Sequence, residues 1–195
     1  MFIINLSGKL KATIIAFMLL AFSCNTDASA QRTMDRQLFV SAEGHLSALN
    51  LSDAGGGLSM GQYMLNGLWF CSISSSFNTV GIGSGRKLGY VDFYAQGGYL
   101  YRIISNRSRS LNLYGGGGAF IGYEVYDPMK RVPSHLATNL PEGGIFLYGI
   151  DPRIEFEAFI AKKVAVALGF SSPINFSSSL TKVRPKGTLG IRLNL

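Results

Sequence analysis

Hydrophobic and polar residues alternate at every second position in eight separate segments of this chain. The clearest segment runs from Phe146 to Ile160, where apolar side chains occupy one parity and charged side chains occupy the other. A period of two is the spacing of a β-strand, whose successive side chains point to opposite faces of the sheet. The other seven segments are 38–47, 57–65, 68–79, 90–103, 111–124, 164–171 and 188–195. Because no segment has a helical period, the chain is predicted to be all-β.

The composition excludes two other classes of protein. Hydrophobic residues make up 47% and charged residues only 15%, which excludes an intrinsically disordered chain. A helical membrane protein is excluded because the one apolar run that approaches a spanning helix lies at the N-terminus. Glycine contributes 24 of 195 residues and aromatic residues contribute 12%, and aromatic side chains favour strands.

The N-terminal run predicts a secretory signal peptide. A basic start and the apolar stretch 12–23 precede the small residues of a cleavage site at 28–30. We therefore predict a signal peptide over residues 1–30 and one β-barrel domain over residues 31–195. The alternative is a lipoprotein, because Cys24 follows the apolar stretch directly.

The connections between the eight segments alternate in length, and this alternation predicts how the strands are arranged. Residues 48–56, 80–88, 125–143 and 173–186 form long connections, Asn66-Gly67 and 161–163 form tight ones, and 104–110 is intermediate. Short turns at one end and long loops at the other are typical of outer-membrane barrels. We predict an eight-stranded antiparallel up-and-down outer-membrane β-barrel, with both termini on the periplasmic side and the apolar parity facing lipid.

A soluble lipocalin-like barrel has the opposite polarity, and the sequence alone does not reveal which parity points outward. The charged parity favours the membrane barrel, because residues of both signs can compensate each other inside a narrow lumen. The predicted lumen network consists of Glu43, His45, Asp92, Arg102, Glu124, Asp151, Arg153, Glu155, Glu157 and Arg192. A cation site at Glu155 and Glu157 is the alternative to ion pairing there.

The basic residues are dispersed, although the formal net charge is +7. We interpret them, including Lys182, Arg184 and Lys186, as loop and interface charges, and we expect no direct contact with nucleic acid. The longest connection, 125–143, contains Lys130, Arg131 and His135. Because loops of this length in small domains are usually functional or disordered, we predict that this one is the main exposed contact surface.

No pattern in the sequence indicates a catalytic, cofactor or metal site. After signal cleavage Cys71 is the one remaining cysteine and can close no intramolecular disulfide. A lipid-modifying barrel enzyme would need a serine beside His45 or His135, and the spacing of the sequence places none there. We therefore predict that the protein is not an enzyme and that it binds no cofactor.

Short elements spread along the chain resemble the conjugative-transposon protein TraO family of Bacteroidetes. In order they are Ala30-Gln31-Arg32, the segment 88–101 with Gln96-Gly97-Gly98-Tyr99, Ala119 to Glu124, Phe146-Leu147-Tyr148-Gly149 followed by Glu155-x-Glu157, and Gly190-Ile191-Arg192-Leu193. The resemblance implies a structural outer-membrane accessory of a conjugative DNA-transfer apparatus, with membrane lipid and other conjugation proteins as partners and no catalytic residues.

The width of the barrel limits what such an accessory can do. Eight strands leave a lumen that side chains fill, so one copy cannot form a pore wide enough for DNA. The accessory can therefore anchor, brace or adapt. Two other functions stay open: a free-standing small barrel that acts as an adhesin or envelope stabiliser, and, less favoured, the lipid-modifying enzyme.

Overall fold

The computed structural model describes residues 35–50, 52–82, 86–126, 144–177 and 182–195. The predicted signal peptide and the loop residues Lys130, Arg131 and His135 lie outside these ranges. Across the described residues, no helix is long and apolar enough to cross a membrane.

The described residues form nine β-strands in one antiparallel sheet that closes on itself. These are β1 (Leu38–Ser47), β2 (Ala54–Met64), β3 (Gly67–Ile82), β4 (Arg86–Ser105), β5 (Leu111–Tyr126), β6 (Ile145–Ala161), β7 (Val164–Ser171), β8 (Ile174–Asn175) and β9 (Lys186–Asn194). Each of the long strands pairs with two neighbours, and the pairing of β5 with β6 completes the ring. The two-residue β8 continues β7 beyond Pro173 and pairs with β6. The predicted eight-stranded barrel is therefore confirmed.

The strand register sets the width of the barrel. When the paired residues are followed from strand to strand, starting at Glu43 and passing through β2, β3, β4 and β5, the residue reached on β6 is Leu147. In the other direction they lead through β9 and β7 and reach β6 at Glu157, ten residues away. With eight strands this stagger tilts the strands by about 40° and leaves an interior that side chains fill.

The predicted polarity is also confirmed. The outward side chains of Leu58, Ile73 and Ile191 are 61%, 63% and 57% exposed. The inward carboxylates of Glu124 and Glu157 are both 0% exposed. A lipocalin-like barrel would place the apolar set inside, so the arrangement of this chain is the opposite of that alternative.

The two ends of the barrel differ. The connections 65–66, 106–110 and 162–163 lie at the end where β1 begins and β9 finishes, which we call the turn end. The opposite end is the loop end. The four central strands, β3 to β6, are 16 to 20 residues long, and their extra length extends toward the loop end. The strands β1, β2 and β9 have only 9 to 11 residues. Since β2 begins opposite Phe77, β3 continues beyond it at the loop end.

Two of the predicted connections are wrong in their bounds. Residues 80–88 were expected to form a long loop, but pairing continues to Ile82 and resumes at Arg86. The sequence has β-branched residue types, valine and isoleucine, at positions 80 and 82, and these favour a continued strand. The prediction that 48–56 is a connection is also too long, because β2 begins at Ala54.

The hairpin predicted at Asn66-Gly67 is present but displaced by one residue. Its loop is Leu65–Asn66, and Gly67 is already paired with Met64 in β3. Gly67 is needed for a close approach of two strands, because a Cβ atom there would lie 2.1 Å from the carbonyl oxygen of Leu100.

Candidate functional site

Five charged side chains form one continuous group in the lumen, which we call the central network: Glu43, Arg153, Glu155, Glu157 and Arg192. Nη2 of Arg192 lies 2.7 Å from Oε1 of Glu155, and its Nη1 pairs with Oε2 of Glu157. Nη2 of Arg153 lies 3.0 Å from Oε2 of Glu155 and 3.0 Å from Oε2 of Glu43. The network therefore joins β1, β6 and β9 across the barrel.

Neutral side chains donate further hydrogen bonds to two carboxylates of the central network, Glu43 and Glu157. The Tyr63 hydroxyl donates to Oε2 of Glu157 at 2.6 Å, and Nδ2 of Asn112 donates to its Oε1 at 3.1 Å. Ser59 donates to Oε1 of Glu43 at 3.0 Å. Such compensation is required because a buried ion without partners costs several kcal/mol.

The carboxylates of the central network are engaged by arginine. Glu155 and Glu157, the pair for which a cation site was the alternative, both bind Arg192. Within the described residues no group of three or more His, Cys, Asp or Glu side chains is positioned to hold a metal ion.

An apolar cluster closes the lumen at the turn end, and sequence reasoning missed it. This turn-end plug consists of Phe39, Tyr63, Leu68, Phe70, Leu100 and Tyr114, with Phe159 packed against it. The rings of Phe39 and Tyr63 have centroids 5.1 Å apart, and the guanidinium carbon of Arg192 lies 4.3 Å from the Phe39 centroid. Phe39 shares the parity of Glu43 in β1, so the alternation could have revealed its inward position.

A second charged group lies toward the loop end. Arg184, from the connection before β9, pairs through Nη1 with Asp92 and through Nη2 with Glu124. Nδ2 of Asn78 and the Tyr94 hydroxyl also donate to Oδ2 of Asp92, at 2.7 Å and 3.1 Å. We call Arg184, Asp92 and Glu124 the mouth network.

Arg184 lies in a connection, as expected, but its interpretation as an interface charge is wrong because its side chain pairs inside the barrel. Lys186 is the first residue of β9, and its Nζ lies 5.6 Å from the centroid of the buried Tyr94 ring, so it is not an interface charge either. Backbone hydrogen bonds from Asn175 to Lys182 and from Arg184 to Pro173 fold the segment before β9 back over the lumen. The Arg184 side chain is only 10% exposed. Burial by itself lowers the pKa of Arg184, but its interactions with Tyr94, Asp92 and other neighbours outweigh burial and raise the pKa above its ordinary value. Arg184 therefore stays charged beside its carboxylates.

Replacing Arg184 with alanine is expected to loosen the segment 182–185. The change leaves Asp92 and Glu124 without their cation and removes charged hydrogen bonds, which contribute about 1.5–3 kcal/mol each. Since about 1.4 kcal/mol is a factor of ten, trypsin should cleave after Lys182 at least tenfold faster. The variant R184A/D92N/E124Q separates the lost tether from repulsion between the uncompensated carboxylates: it still lacks the tether, so it should be cleaved about as fast as R184A. Equal rates in R184A and the wild type would contradict the tethering role.

His45 has a serine beside it, which the sequence did not reveal. Its Nε2 lies 2.7 Å from Oγ of Ser76, and both side chains are buried. The imidazole reaches Ser76 across β2 because Gly55 lies between them, where a Cβ would be 2.2 Å from Nε2. The cavity beside the pair holds about 20 Å³, enough for one water molecule but not for an acyl chain. This geometry gives little support to the lipid-modifying alternative.

Besides His45, two predicted members of the lumen network, Asp151 and Arg102, lie apart from the ion pairs. Asp151 faces the lumen and accepts a hydrogen bond of 2.9 Å from Nε2 of Gln96. Arg102 is half-buried at the turn end, where its Nη1 donates to the carbonyl oxygen of Leu65 at 3.2 Å. The structure therefore brings together most of the predicted network but places Arg102 at the rim of the barrel.

The chain matches the family described as conjugative transposon protein TraO over residues 47–195. It belongs to the TraO family. The match includes β2 to β9, and hence the mouth network and every residue of the central network except Glu43. No curated protein is significantly similar to this TraO family member in sequence.

Solved structures similar to this TraO family member share its fold. Neisserial surface protein A aligns with a TM-score of 0.57 at 12% identity, over 81% of this chain and 97% of that one. Ail, the attachment invasion locus protein of Yersinia pestis, aligns at 0.53 and 12%, over 83% and 100% of the two chains. The N-terminal β-barrel domain of Pseudomonas aeruginosa OprF aligns at 0.50 and 11%, over 83% and 98%. Identities this low indicate a common barrel architecture alone.

Proposed function

We propose that this protein is a structural outer-membrane accessory of a conjugative DNA-transfer apparatus. The observation that carries the proposal is the TraO family match, which covers all the strands after β1. The family supplies the link to conjugative transposons, and the barrel supplies the physical limits on the role.

The outer wall of the barrel supports insertion in a membrane. Ile103, Ile121, Phe146, Ile154 and Leu189 all point outward, and each is more than 50% exposed. A continuous apolar wall of this size is unfavourable in water and favourable against acyl chains. The fold likeness to outer-membrane barrels and the predicted signal peptide 1–30 favour the outer membrane, with the turn end in the periplasm and the loop end outside.

The filled lumen supports an anchoring or bracing role and argues against a conduit. The turn-end plug, the central network and the mouth network occupy successive sections of the interior. A strand of DNA is far wider than the two cavities found beside the networks among the described residues, which hold about 20 Å³ each. On this proposal DNA passes beside the barrel, and the protein makes no direct contact with it.

Deleting the gene from the donor tests the proposal. We expect the frequency of transfer to a recipient to fall at least tenfold, to recover when the wild-type gene is supplied in trans, and to fall without loss of envelope integrity. Unchanged transfer would remove the apparatus role and favour the free-standing adhesin or envelope stabiliser. In the same assay, replacing 127–143 with a short Gly-Ser linker tests the proposed contact surface that contains Lys130, Arg131 and His135.

A simple measurement tests the membrane barrel separately. The protein should be recovered from the outer-membrane fraction and should migrate faster in gels when it is not boiled, because a closed barrel resists detergent. Recovery in the soluble periplasm would contradict the insertion of this wall in lipid.

A further inference from the structure

Four basic side chains occupy two connections at the turn end, and we call them the basic rim: Arg107, Arg109, Lys162 and Lys163. The two connections are neighbours around the barrel, because the amide of Phe159 donates to the carbonyl oxygen of Ser110 at 2.8 Å. Arg107, Lys162 and Lys163 are exposed, and Arg109 is partly exposed. The ion pairs found among the described residues all lie inside the barrel and leave the basic rim without a carboxylate.

Among the described residues, four of the six basic side chains at the turn end lie on one side of it; the other two are Arg36 and the half-buried Arg102, which donates to the carbonyl oxygen of Leu65. The connection Leu65–Asn66, on the other side, carries no charge. Arg36, which precedes β1, has the carboxylate of Asp35 as its chain neighbour. The basic rim therefore gives the turn end an asymmetric distribution of positive charge. Lipid headgroups surround a barrel on all sides, so a site for headgroups would be expected to have cations around the whole circumference.

The turn that carries two of these cations is held in one conformation. Oδ1 of Asn106 accepts hydrogen bonds from the amides of Ser110 and Leu111, at 2.8 Å and 3.1 Å. Its Nδ2 donates to Oγ of Ser108 at 2.9 Å. A turn fixed in this way loses little conformational entropy when it binds a partner.

Arg109 also has an unusual backbone conformation. Arg109 has φ 56°, a left-handed conformation that favours glycine or asparagine. Among the described residues the only other non-glycine residue with positive φ is Arg36, with φ 68°, which also lies at the turn end. Glycine would adopt this conformation more readily than arginine but would carry no charge.

We propose that the basic rim binds an acidic segment of another protein of the transfer apparatus in the periplasm. This inference rests on the proposed function, which places the turn end in that compartment. Arginine pairs with carboxylates through two parallel hydrogen bonds, so Arg107 and Arg109 suit a cluster of Asp or Glu side chains. Proteins that bind single-stranded nucleic acid add aromatic stacking surfaces, and residues 106–110 and 162–163 contain no aromatic side chain.

Photo-crosslinking in donor cells that carry the complete apparatus tests the proposal. A benzophenone amino acid replaces Ser108, between the two arginines, and the matched control places it at Asn66 in the uncharged turn. We expect a protein adduct at position 108 that is absent at position 66. Its yield should fall at least tenfold in R107E/R109N/K162E/K163E, where asparagine at 109 tolerates the left-handed backbone, and should be unchanged in K182E at the loop end.

A charge swap makes the test decisive. Replacing the acidic residues of the crosslinked partner with lysine should restore the adduct to the R107E/R109N/K162E/K163E variant. Gel mobility without boiling verifies that each variant forms the barrel. An adduct to lipid or nucleic acid alone, or a yield that the rim substitutions leave unchanged, would overturn the proposal. If gene deletion abolishes transfer but the rim variant transfers normally, the rim inference fails while the proposed function stands.

Discussion

Replacing Arg192 with alanine is expected to lower the free energy of unfolding of the barrel by about 3–5 kcal/mol. Arg192 is 2% exposed and pairs with Glu155 and Glu157, which are 1% and 0% exposed. Its removal leaves Glu157 without a cation and Glu155 with Arg153 alone, in a site that water hardly reaches. Urea unfolding in lipid vesicles, followed through the fluorescence of Trp69, the single tryptophan, measures the change.

The control for this prediction removes the charges together. In R192A/E155Q/E157Q no uncompensated carboxylate remains at these positions, so most of the lost stability should return. Arg192 also packs on the ring of Phe39, with 4.3 Å between the guanidinium carbon and the ring centroid. If the triple variant is as unstable as R192A, this lost packing, and not the charge, accounts for the effect.

Replacing Gly98 with alanine is expected to destabilise the barrel by about 1–3 kcal/mol and to lower its refolding yield. Gly98 of β4 pairs with Gly118 of β5. A Cβ at Gly98 would lie 2.3 Å from the carbonyl oxygen of Gly117 and 2.5 Å from Cα of Gly118. These are backbone atoms, so the two strands would have to separate.

The adjacent glycine provides a matched control. A Cβ at Gly97, on the outward parity, would have its nearest neighbour at 3.8 Å, which is an ordinary contact. We expect Gly97→Ala to change stability by less than about 0.5 kcal/mol. The same unfolding measurement compares the two variants, and equal losses would show that the close approach of β4 and β5 is not what requires glycine at 98.

The fold could be predicted from the sequence because the information is local. In β6 the strict alternation of Ile154 and Phe156 with Glu155 and Glu157 indicates both the strand and its two faces. The short connection at 162–163 then indicates an antiparallel neighbour. These signals need no knowledge of which residues meet across the barrel.

The site could be predicted only in part, because its contacts depend on the register of distant strands. Arg184 belongs to no strand, so no periodicity marks it as an inward side chain. The contact of His45 with Ser76 crosses an intervening strand and depends on the missing side chain of Gly55. Phe39 has the inward parity of Glu43, but it is apolar and therefore interrupts the alternation of polarity in β1. An interior of fixed width must be filled by volume as well as balanced in charge, so such apolar side chains belong inside too.

The position of β9 has a consequence for how the barrel is assembled. β9 is the last described strand, yet it lies between β1 and β7 and brings Arg192 to the carboxylates of β6. If the ring closed between β1 and β7 without β9, the central network would lack Arg192. It would then contain three carboxylates, Glu43, Glu155 and Glu157, and a single cation, Arg153. The uncompensated carboxylates raise the free energy of such a shortened ring, and this cost is removed only when β9 brings Arg192 to them. The ion pairs that stabilise the finished barrel therefore also disfavour a ring that lacks β9.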